Sequence, residues 1–393
     1  MQIFKYPKII FGNNSIEALP SEISLLGKEH CCAENKRILI ITDRNLKQYT
    51  KIPGRIEDLV RKTGKSYDIF DELIGEPEIN DARRITEIAR NNEYCMVIGV
   101  GGGSVLDVAK IASVMATNNG EVEEYLTGTR VIHNRGLPKI LIPTTSGSGS
   151  EVSYAAVIHY RDVKQTLRDP YLIADTAIID PLLTISMPPS VTASSGLDAL
   201  SHAVETYVSK TSTPLSDSLS LKAVQLILKN LPQAYAHGND LTARHNMSLA
   251  SLMAEMAATS GAGGVCLPHA ISHCLPKKCS LPHGILCAII LPYFLELALP
   301  CMPKDKVKEF IENIKPISSV TDGRDLVTLF KNFNKIFGVP DTIPGLRHED
   351  IPQIIDRIYI YGKRQIDRTP FDVTKEILEA LLEKLIVKLA GTG

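Results

Sequence analysis

The chain has 393 residues, of which 44% are hydrophobic and 22% charged, a composition typical of a soluble globular protein with enough apolar content for two cores. Lysine and arginine (43) almost balance aspartate and glutamate (44), which argues against nucleic acid or an anionic membrane as a partner. Lys5 interrupts the apolar N-terminus and no unbroken apolar run of about 18 residues is apparent, so we expect a cytoplasmic protein whose partners are small molecules and copies of itself.

The first half of the chain alternates short β-branched runs with helical patterns. Near the N-terminus, FKYPKIIFG has the pattern of a strand that could pair across a two-fold axis. Three later runs predict buried strands of one parallel sheet: RILIIT (37–42), CMVIGV (95–100) and KILIP (139–143). We therefore expect an α/β, Rossmann-like domain over residues 1–188, ending where consecutive prolines interrupt regular structure.

Asp43 ends the first of these runs, in IITDRNL. A carboxylate at the end of a parallel strand can accept hydrogen bonds from an adenosine ribose and repels a 2′-phosphate, which favours NAD over NADP. The alternative is that Asp43 only caps the helix that follows it.

Two glycine-rich loops directly follow predicted strands. GGGSVLDVAK (101–110) leads into a helix, so its glycines let backbone N–H groups approach a diphosphate while Ser104 caps the helix. PTTSGSGSEVS (143–153) offers hydroxyl groups that could surround a phosphate or a nicotinamide ribose. Either loop alone also fits a plain chain reversal, but both at the carboxyl ends of parallel strands predict a nucleotide site. Neither matches the GxGxxG fingerprint or a Walker loop.

From about residue 191 the strand pattern gives way to apolar residues at helical spacing. The clearest stretches are 216–230, 241–258 and 372–390. In the last of these, Ile377, Leu381 and Leu385 form one apolar stripe. We expect an all-helical domain over residues 189–393.

Five residues of this second half have the spacing of metal ligands: Asp198, His202, His269, His273 and His283. The first two are four apart and so are the next two, which places each pair on one helix face. His283 stands between Pro282, which restricts the backbone, and Gly284, which should let the chain turn. A lone histidine is more often a satisfied core or surface residue, but this combination favours one site. Its donors suit Fe(II), Zn(II) or another first-row divalent ion, not Mg(II) or Ca(II).

The eight cysteines stand at irregular intervals, unlike a secreted disulfide framework, which predicts reduced thiols. Four of them lie among the histidines and raise the alternative of a thiolate zinc site: Cys266, Cys274, Cys279 and Cys287. No CxxC pair is present, which argues against that alternative.

In this order and spacing, GGGSVLDVAK, PTTSGSGSEVS, SGLDALSHAVE, LPHAISH and LPHG resemble the iron-containing (group III) alcohol dehydrogenases over essentially the whole chain. The resemblance implies a dehydroquinate synthase-like fold with a metal in the cleft between an NAD(P)-binding domain and a helical catalytic domain. The implied metal ligands are Asp198, His202, His269 and His283. The implied cofactor contacts are Asp43, Gly102, Gly103, Ser104, Asp107, Thr144, Thr145, Ser148 and Lys164. His273 would stay off the metal, near the nicotinamide, as a general acid/base.

The implied activity is metal-dependent, reversible hydride transfer between a small primary alcohol and NAD(P), in a homodimer or larger homo-oligomer, with Fe(II) the expected metal and NADP less favoured than NAD. The family's usual Asn-Pro pair is replaced by Glu76-Pro77, which bears on the ribose contacts. Lys277 and Lys278 raise the alternative of a reductase for a small anionic aldehyde such as sulfoacetaldehyde or phosphonoacetaldehyde, unless they form a solvated loop. The remaining alternatives are an enzyme of the glycerol dehydrogenase or dehydroquinate synthase type and a non-catalytic metal- and nucleotide-binding sensor.

Overall fold

A computed structural model describes residues 6–30, 32–33, 35–91, 93–260 and 264–387 of the chain. The chain divides into two compact units, one ending at Met187 and the other beginning at Pro188. Each unit has its own hydrophobic core.

Within the described residues, the first unit contains eight strands: β1 Lys8–Phe11, β2 Arg37–Asp43, β3 Tyr67–Leu73, β4 Tyr94–Gly101, β5 Lys139–Pro143, β6 Ala155–Tyr160, β7 Val163–Arg168 and β8 Thr176–Ile179. Six of them form one parallel sheet in the order β1-β8-β5-β4-β2-β3, while β6 and β7 form an antiparallel hairpin. The predicted parallel α/β sheet is thereby confirmed. The N-terminal segment supplies β1, an edge strand that pairs with β8 of the same chain.

Helices connect these strands and cover the sheet. The α-helices of this unit are α1 Leu19–Glu29, α2 Arg44–Tyr49, α3 Ile52–Arg61, α4 Ile79–Asn91, α5 Gly103–Met115 and α6 Val122–Leu126. Short 3-10 helices are Ser15–Ala18, Ser150–Val152, Pro170–Leu172 and Pro181–Thr184.

Alternation along the central strands explains why both faces of the sheet are covered. In β2, Leu39 and Ile41 belong to one apolar cluster and Ile38 and Ile40 to another. Successive side chains of a strand point to opposite faces, so an unbroken apolar run supplies a core on each side. The sheet therefore presents its carboxyl ends, rather than a face, to ligands.

The second unit is helical, as predicted. Its α-helices are α7 Pro189–Val208, α8 Pro214–Ala236, α9 Leu241–Thr259, α10 Leu267–Cys274, α11 His283–Ala298, α12 Lys304–Ile314, α13 Gly323–Ile336, α14 Ile351–Tyr361, α15 Lys363–Arg368 and α16 Lys375–Lys384. Its 3-10 helices are Leu299–Cys301, Lys315–Ile317 and His348–Asp350. The predicted helix over 372–390 is shorter than expected, and residues 388–390 lie outside the described part.

One helical segment has the length and composition of a membrane span. The segment His283–Cys301 has a mean hydropathy of 2.0 over its most apolar window, and 67% of that window is buried. Glu296 interrupts the apolar run, in agreement with the expectation that no unbroken run of this length exists. Its burial is that of a core helix packed within the second unit.

Cys32 and Cys95 form a disulfide, so the expectation of reduced thiols is wrong for this pair. Cys95 lies near the start of β4 and Cys32 shortly after α1, which brings their Cα atoms to 5.5 Å, within the usual range for a disulfide. A separation of 63 residues gives no sequence signal for that proximity. Five other cysteines are thiols, Cys266, Cys274, Cys279, Cys287 and Cys301; Cys31 lies outside the described residues.

Candidate metal centre

Three helices of the second unit bring the predicted ligands together. Asp198 lies on α7, His269 on α10, and His283 is the first residue of α11. The Asp198 Oδ1 atom lies 3.7 Å from His269 Nε2 and 3.6 Å from His283 Nε2. These distances are too long for hydrogen bonds, which fall at about 2.7–3.2 Å. They suit donor atoms that share one cation.

Cys287 completes a cluster of four donor residues. One donor atom from each of Asp198, His269, His283 and Cys287 lies within 4.8 Å of all the others. The sulfur of Cys287 is buried, 3.8 Å from His283 Nε2. Sequence reasoning considered Cys287 only as part of a four-cysteine site. The useful signal was its position four residues after His283, the same spacing that selected the other pairs.

His202 lies beside the donor cluster on the same helix as Asp198. Its ring stacks on that of His269 with centroids 4.6 Å apart. Its Nδ1 atom lies 3.9 Å from Glu255 Oε2, and His202 is not among the four clustered donors. The role of His202 as a ligand stays a prediction.

Gly284 does not serve as a turn residue, in contrast to our expectation. It lies in the first turn of α11, where that helix packs closely on α7. A Cβ atom at this position would be 2.9 Å from the Cβ of Asp198 and closer still to the carbonyl oxygen of Ser194. Real Cβ atoms do not approach other atoms so closely. The missing side chain therefore allows His283 to reach Asp198.

Glu205 orients His269 and was not identified from the sequence. It is fully buried on α7, and its Oε1 atom accepts a hydrogen bond from His269 Nδ1 at 2.6 Å. Its Oε2 atom accepts from the backbone N–H groups of Cys266 at 2.8 Å and His269 at 3.4 Å, which caps the N-terminus of α10. With Nδ1 as donor, the Nε2 atom of His269 presents its lone pair, as a metal ligand requires. The sequence signal for Glu205 was its spacing: it lies seven positions after Asp198, on the helix that also carries His202.

Replacing Glu205 with glutamine should weaken metal binding about 10–100-fold, the usual effect of losing the group that orients a ligating histidine. An amide cannot accept hydrogen bonds at both ends, so either His269 Nδ1 or the N-terminus of α10 loses its acceptor. A metal titration with a competing chelator measures the effect. Glu309→Gln, an exposed residue on α12, is the matched control and should bind metal normally. Unchanged affinity in folded Glu205→Gln would contradict the orienting role.

The donors also fit a first-row divalent cation by geometry and charge. Two bonds of about 2.1 Å at a tetrahedral angle place their donor atoms about 3.4 Å apart. The buried Nε2 atom of His269 has no hydrogen-bond partner among the described residues. Burial disfavours a positive charge on His269, but the Cys287 sulfur and the Glu205 carboxylate outweigh it and raise the pKa of His269 well above its ordinary value. The cluster therefore favours positive charge at this point.

His273 lies beside this cluster, and the two lysines lie in the segment that links α10 to α11. His273 is partly exposed, with its ring centroid 5.1 Å from that of His283 and 6.0 Å from that of His269. Lys278 forms an ion pair with Asp350 at 2.8 Å, and Lys277 is exposed. The charge of Lys278 is thus already compensated by a neighbouring carboxylate.

In the first unit, the two glycine-rich loops lie side by side at the carboxyl ends of β4 and β5. A Cβ atom on Gly103 would be 2.9 Å from the Cβ of Ser148, so the loops touch where Gly103 lacks a side chain. Gly102, not Ser104, is the N-cap of α5, and no side chain caps that helix, so the predicted capping role of Ser104 is wrong. The partly exposed members of the predicted cofactor set in these loops are Gly102, Gly103, Ser104, Thr145 and Ser148, whereas Thr144 and Asp107 are buried.

Asp107 joins the two loops instead of facing outward. Its Oδ1 atom accepts from Ser150 Oγ at 2.5 Å and pairs with the buried Lys110 at 2.9 Å. Its Oδ2 atom accepts from the backbone of Val157 at 2.8 Å. Lys110 also donates to the carbonyl oxygen of Ser150 at 3.0 Å. This buried pair holds the second loop against α5.

Two further predicted cofactor residues are engaged by the protein itself. Asp43 caps α2 by accepting from the backbone of Leu46 at 2.8 Å, as the alternative reading of Asp43 foresaw. Lys164 pairs with Glu76 Oε1 at 2.5 Å, and His159 Nε2 lies 2.6 Å from Glu76 Oε2. Burial alone would raise the pKa of Glu76, but His159 and Lys164 lower it to about 2. Asp43 is the last residue of β2 and Glu76 lies shortly after β3, so both carboxylates lie at the carboxyl edge of the sheet.

Both halves of the chain match known protein families. Residues 7–181 match the family described as "Iron-containing alcohol dehydrogenase", and residues 192–386 match "Fe-containing alcohol dehydrogenase family, C-terminal". The chain is 36% identical over 388 residues to long-chain-alcohol dehydrogenase 1 of Geobacillus thermodenitrificans, which covers 97% of this chain and 95% of that protein.

Solved structures of the same fold cover nearly all of the chain. An alcohol dehydrogenase from Oenococcus oeni superposes with a TM-score of 0.88 at 26% identity, covering 98% of this chain and 100% of that one. The sulfoacetaldehyde reductase of Bifidobacterium kashiwanohense, in complex with NAD+, superposes with a TM-score of 0.83 at 25% identity, covering 98% and 99%. Sequence motifs, fold and donor cluster agree, and the chain belongs to the iron-containing alcohol dehydrogenase family.

Proposed function

We propose that this member of the family catalyses reversible, metal-dependent hydride transfer between a small primary alcohol and NAD. The observation that carries the proposal is the buried cluster of Asp198, His269 and His283, with Glu205 orienting His269. Such a cluster is costly to bury unless a cation compensates it. A sensor without catalytic activity would not need a general acid/base beside the metal.

Asp198, His202, His269 and His283 are the proposed ligands, with Fe(II) the expected ion and Zn(II) or another first-row ion as substitutes. A bound divalent ion supplies a Lewis acid that lowers the pKa of an alcohol. The chain itself holds the donors in place through the Glu205 carboxylate and the close packing at Gly284. A fourth protein ligand distinguishes this site from the three-ligand zinc site of the dehydroquinate synthase type.

His273 is proposed to move the proton of the reaction. As an alcohol becomes an aldehyde it loses one hydride, to the nicotinamide, and one proton. His273 lies one helical turn after His269 and is partly exposed, so its imidazole can take up that proton and release it to solvent. Imidazole is the side chain that enzymes use most often for this role.

The cofactor is proposed to bind at the carboxyl edge of the sheet in the first unit. The exposed backbone of Gly102 and Gly103 and the hydroxyl groups of Ser104, Thr145 and Ser148 are suited to a diphosphate and a ribose. Asp107 and Thr144, being buried, would act by shaping the loops. The carboxylate of Asp43 at this edge disfavours a 2′-phosphate, which supports NAD over NADP. The charge of Glu76 is already compensated by Lys164.

An uncharged substrate is favoured because Lys278 is already paired with Asp350. Reduction of a small anionic aldehyde is the second candidate, since a similar structure is a sulfoacetaldehyde reductase. We also propose a cytoplasmic homo-oligomer, in which the edge strand β1 is available for pairing.

The test is turnover followed at the NADH absorbance band with a series of primary alcohols, a diol and, in the reverse direction, sulfoacetaldehyde. Protein loaded anaerobically with Fe(II), or with Zn(II), should form NADH with at least one uncharged alcohol. Chelation should abolish turnover and added metal should restore it. Undiminished turnover in protein shown by elemental analysis to be metal-free would overturn the proposal.

A further inference from the structure

The sulfur of Cys287 lies among the donor atoms of the proposed metal site, but Cys287 is not one of the four ligands proposed above. Cys287 follows His283 by one turn of α11, so both side chains lie on the same helix face. The residue is fully buried, and its Sγ lies 3.8 Å from Nε2 and 3.9 Å from Nδ1 of His283. It shares the 4.8 Å cluster with Asp198 and His269.

The distance from Cys287 Sγ to His283 Nε2 is close to that between two donors that share one ion. With a metal–sulfur bond of about 2.3 Å and a metal–nitrogen bond of about 2.05 Å, the two donors of a tetrahedral site lie about 3.6 Å apart. The measured separation of Cys287 Sγ from His283 Nε2 is 3.8 Å. Because the sulfur lies almost as close to Nδ1 as to Nε2, the His283 ring would have to rotate on metal binding so that Nε2 and Sγ face the same ion.

Two other buried thiols of this unit, Cys266 and Cys274, lack this environment. Cys266 Sγ donates to the backbone oxygen of Glu205 at 3.4 Å, a contact that satisfies an ordinary core thiol. Cys274 is buried and lies outside the donor cluster. The Sγ of Cys287 also donates a hydrogen bond, to Ser272 Oγ at 3.5 Å, but it lies in addition near the imidazole nitrogens of His283 and within the donor cluster. Of these three thiols, only Cys287 is placed to bind a metal.

We propose that Cys287 is a sulfur ligand of the metal in this site and biases it toward borderline ions such as Zn(II), Co(II) and Fe(II) over Mn(II). Thiolate donors favour softer ions, whereas a carboxylate and imidazoles alone discriminate less. On binding, the thiol transfers its proton to solvent and the sulfur donates an electron pair to the ion. In this arrangement Cys287 would take the place of His202, which is not among the four clustered donors. Four protein donors would leave a fifth position for the substrate oxygen, because zinc sites can expand to five-coordination. This inference rests on the proposed function only in requiring that a metal occupies the cluster.

The test compares the full-length protein with Cys287→Ser and with Cys274→Ser, a matched buried-thiol control. Each protein is stripped of metal and loaded with Co(II) or with Zn(II). Wild type and the control should show a thiolate-to-Co(II) charge-transfer band and, by X-ray absorption of the Zn(II) form, one sulfur neighbour at about 2.3 Å. Cys287→Ser should lose both signals, and its preference for Zn(II) over Mn(II) should fall.

The outcomes separate this inference from the proposed function. Loaded wild type that shows no sulfur neighbour but oxidises alcohols would overturn the sulfur ligand and leave the proposed function intact. A sulfur neighbour in protein that turns over no substrate would support the sulfur ligand and overturn the proposed function. If Cys287→Ser does not fold, the X-ray absorption spectrum of the wild type alone decides, because it needs no variant.

Discussion

His269→Ala is expected to lose both bound metal and turnover, whereas His273→Ala should keep its metal and turn over more slowly. His269 is buried, is held by Glu205 and lies 3.7 Å from Asp198, so its loss removes a ligand. A catalytic metal contributes several kcal/mol of transition-state stabilisation, and about 4 kcal/mol corresponds to about a thousandfold in rate. His273 contributes proton transfer, whose loss typically slows a reaction about 10²–10⁴-fold. Elemental analysis and kcat, measured on the same preparations, separate the two effects.

The exposed His348 provides the control for this pair. It lies on a surface 3-10 helix and pairs with Glu383, so His348→Ala should retain metal and turnover. If His273→Ala loses its metal as completely as His269→Ala, the division between ligand and proton carrier is wrong. If His269→Ala retains metal and activity, the proposed centre is wrong.

Gly284→Ala is expected to destabilise the protein and to weaken metal binding together. The added Cβ would be 2.9 Å from that of Asp198 and closer to the backbone oxygen of Ser194, and backbone cannot move aside as a flexible side chain can. Helices α7 and α11 would have to separate, which lengthens the 3.6 Å distance from His283 Nε2 to Asp198 Oδ1. Overpacking of this kind typically lowers the free energy of unfolding by about 1–3 kcal/mol. Denaturant unfolding and a metal titration measure the two effects.

Gly54→Ala is the matched control, because Gly54 lies in α3 and nothing would come within 4 Å of its added Cβ. Alanine is favoured over glycine in a helix by about 0.5–1 kcal/mol, so this variant should be slightly more stable. Wild-type stability and metal affinity in Gly284→Ala would show that the close approach of the two helices does not position the ligands.

Sequence reasoning recovered the features that depend on neighbouring residues. The apolar runs at 37–42, 95–100 and 139–143 became β2, β4 and β5, because a strand buried on both faces needs apolar residues at every position. The spacing of four between Asp198 and His202 placed both on α7, as helical periodicity requires. Motif order along the chain led to the correct family.

Features that depend on distant segments were missed. Glu205 orients a histidine 64 residues away, and Gly284 is required by the backbone at Ser194. The disulfide partner of Cys95 could not be identified by spacing. The contacts of Asp107 with Ser150 and Lys110 were likewise not predicted, and its role at the cofactor stays a prediction.

The amino-acid sequence by itself determined the element types, the order of the two kinds of structure and which side chains share a helix face, because these follow from local backbone periodicity. Only the tertiary structure decided that Cys287 joins Asp198, His269 and His283 while His202 stacks beside them. Helical periodicity specifies the direction in which a side chain leaves its own helix, but not which residue of another helix it meets. That depends on how closely the helices pack, and here a single missing Cβ at Gly284 sets the distance.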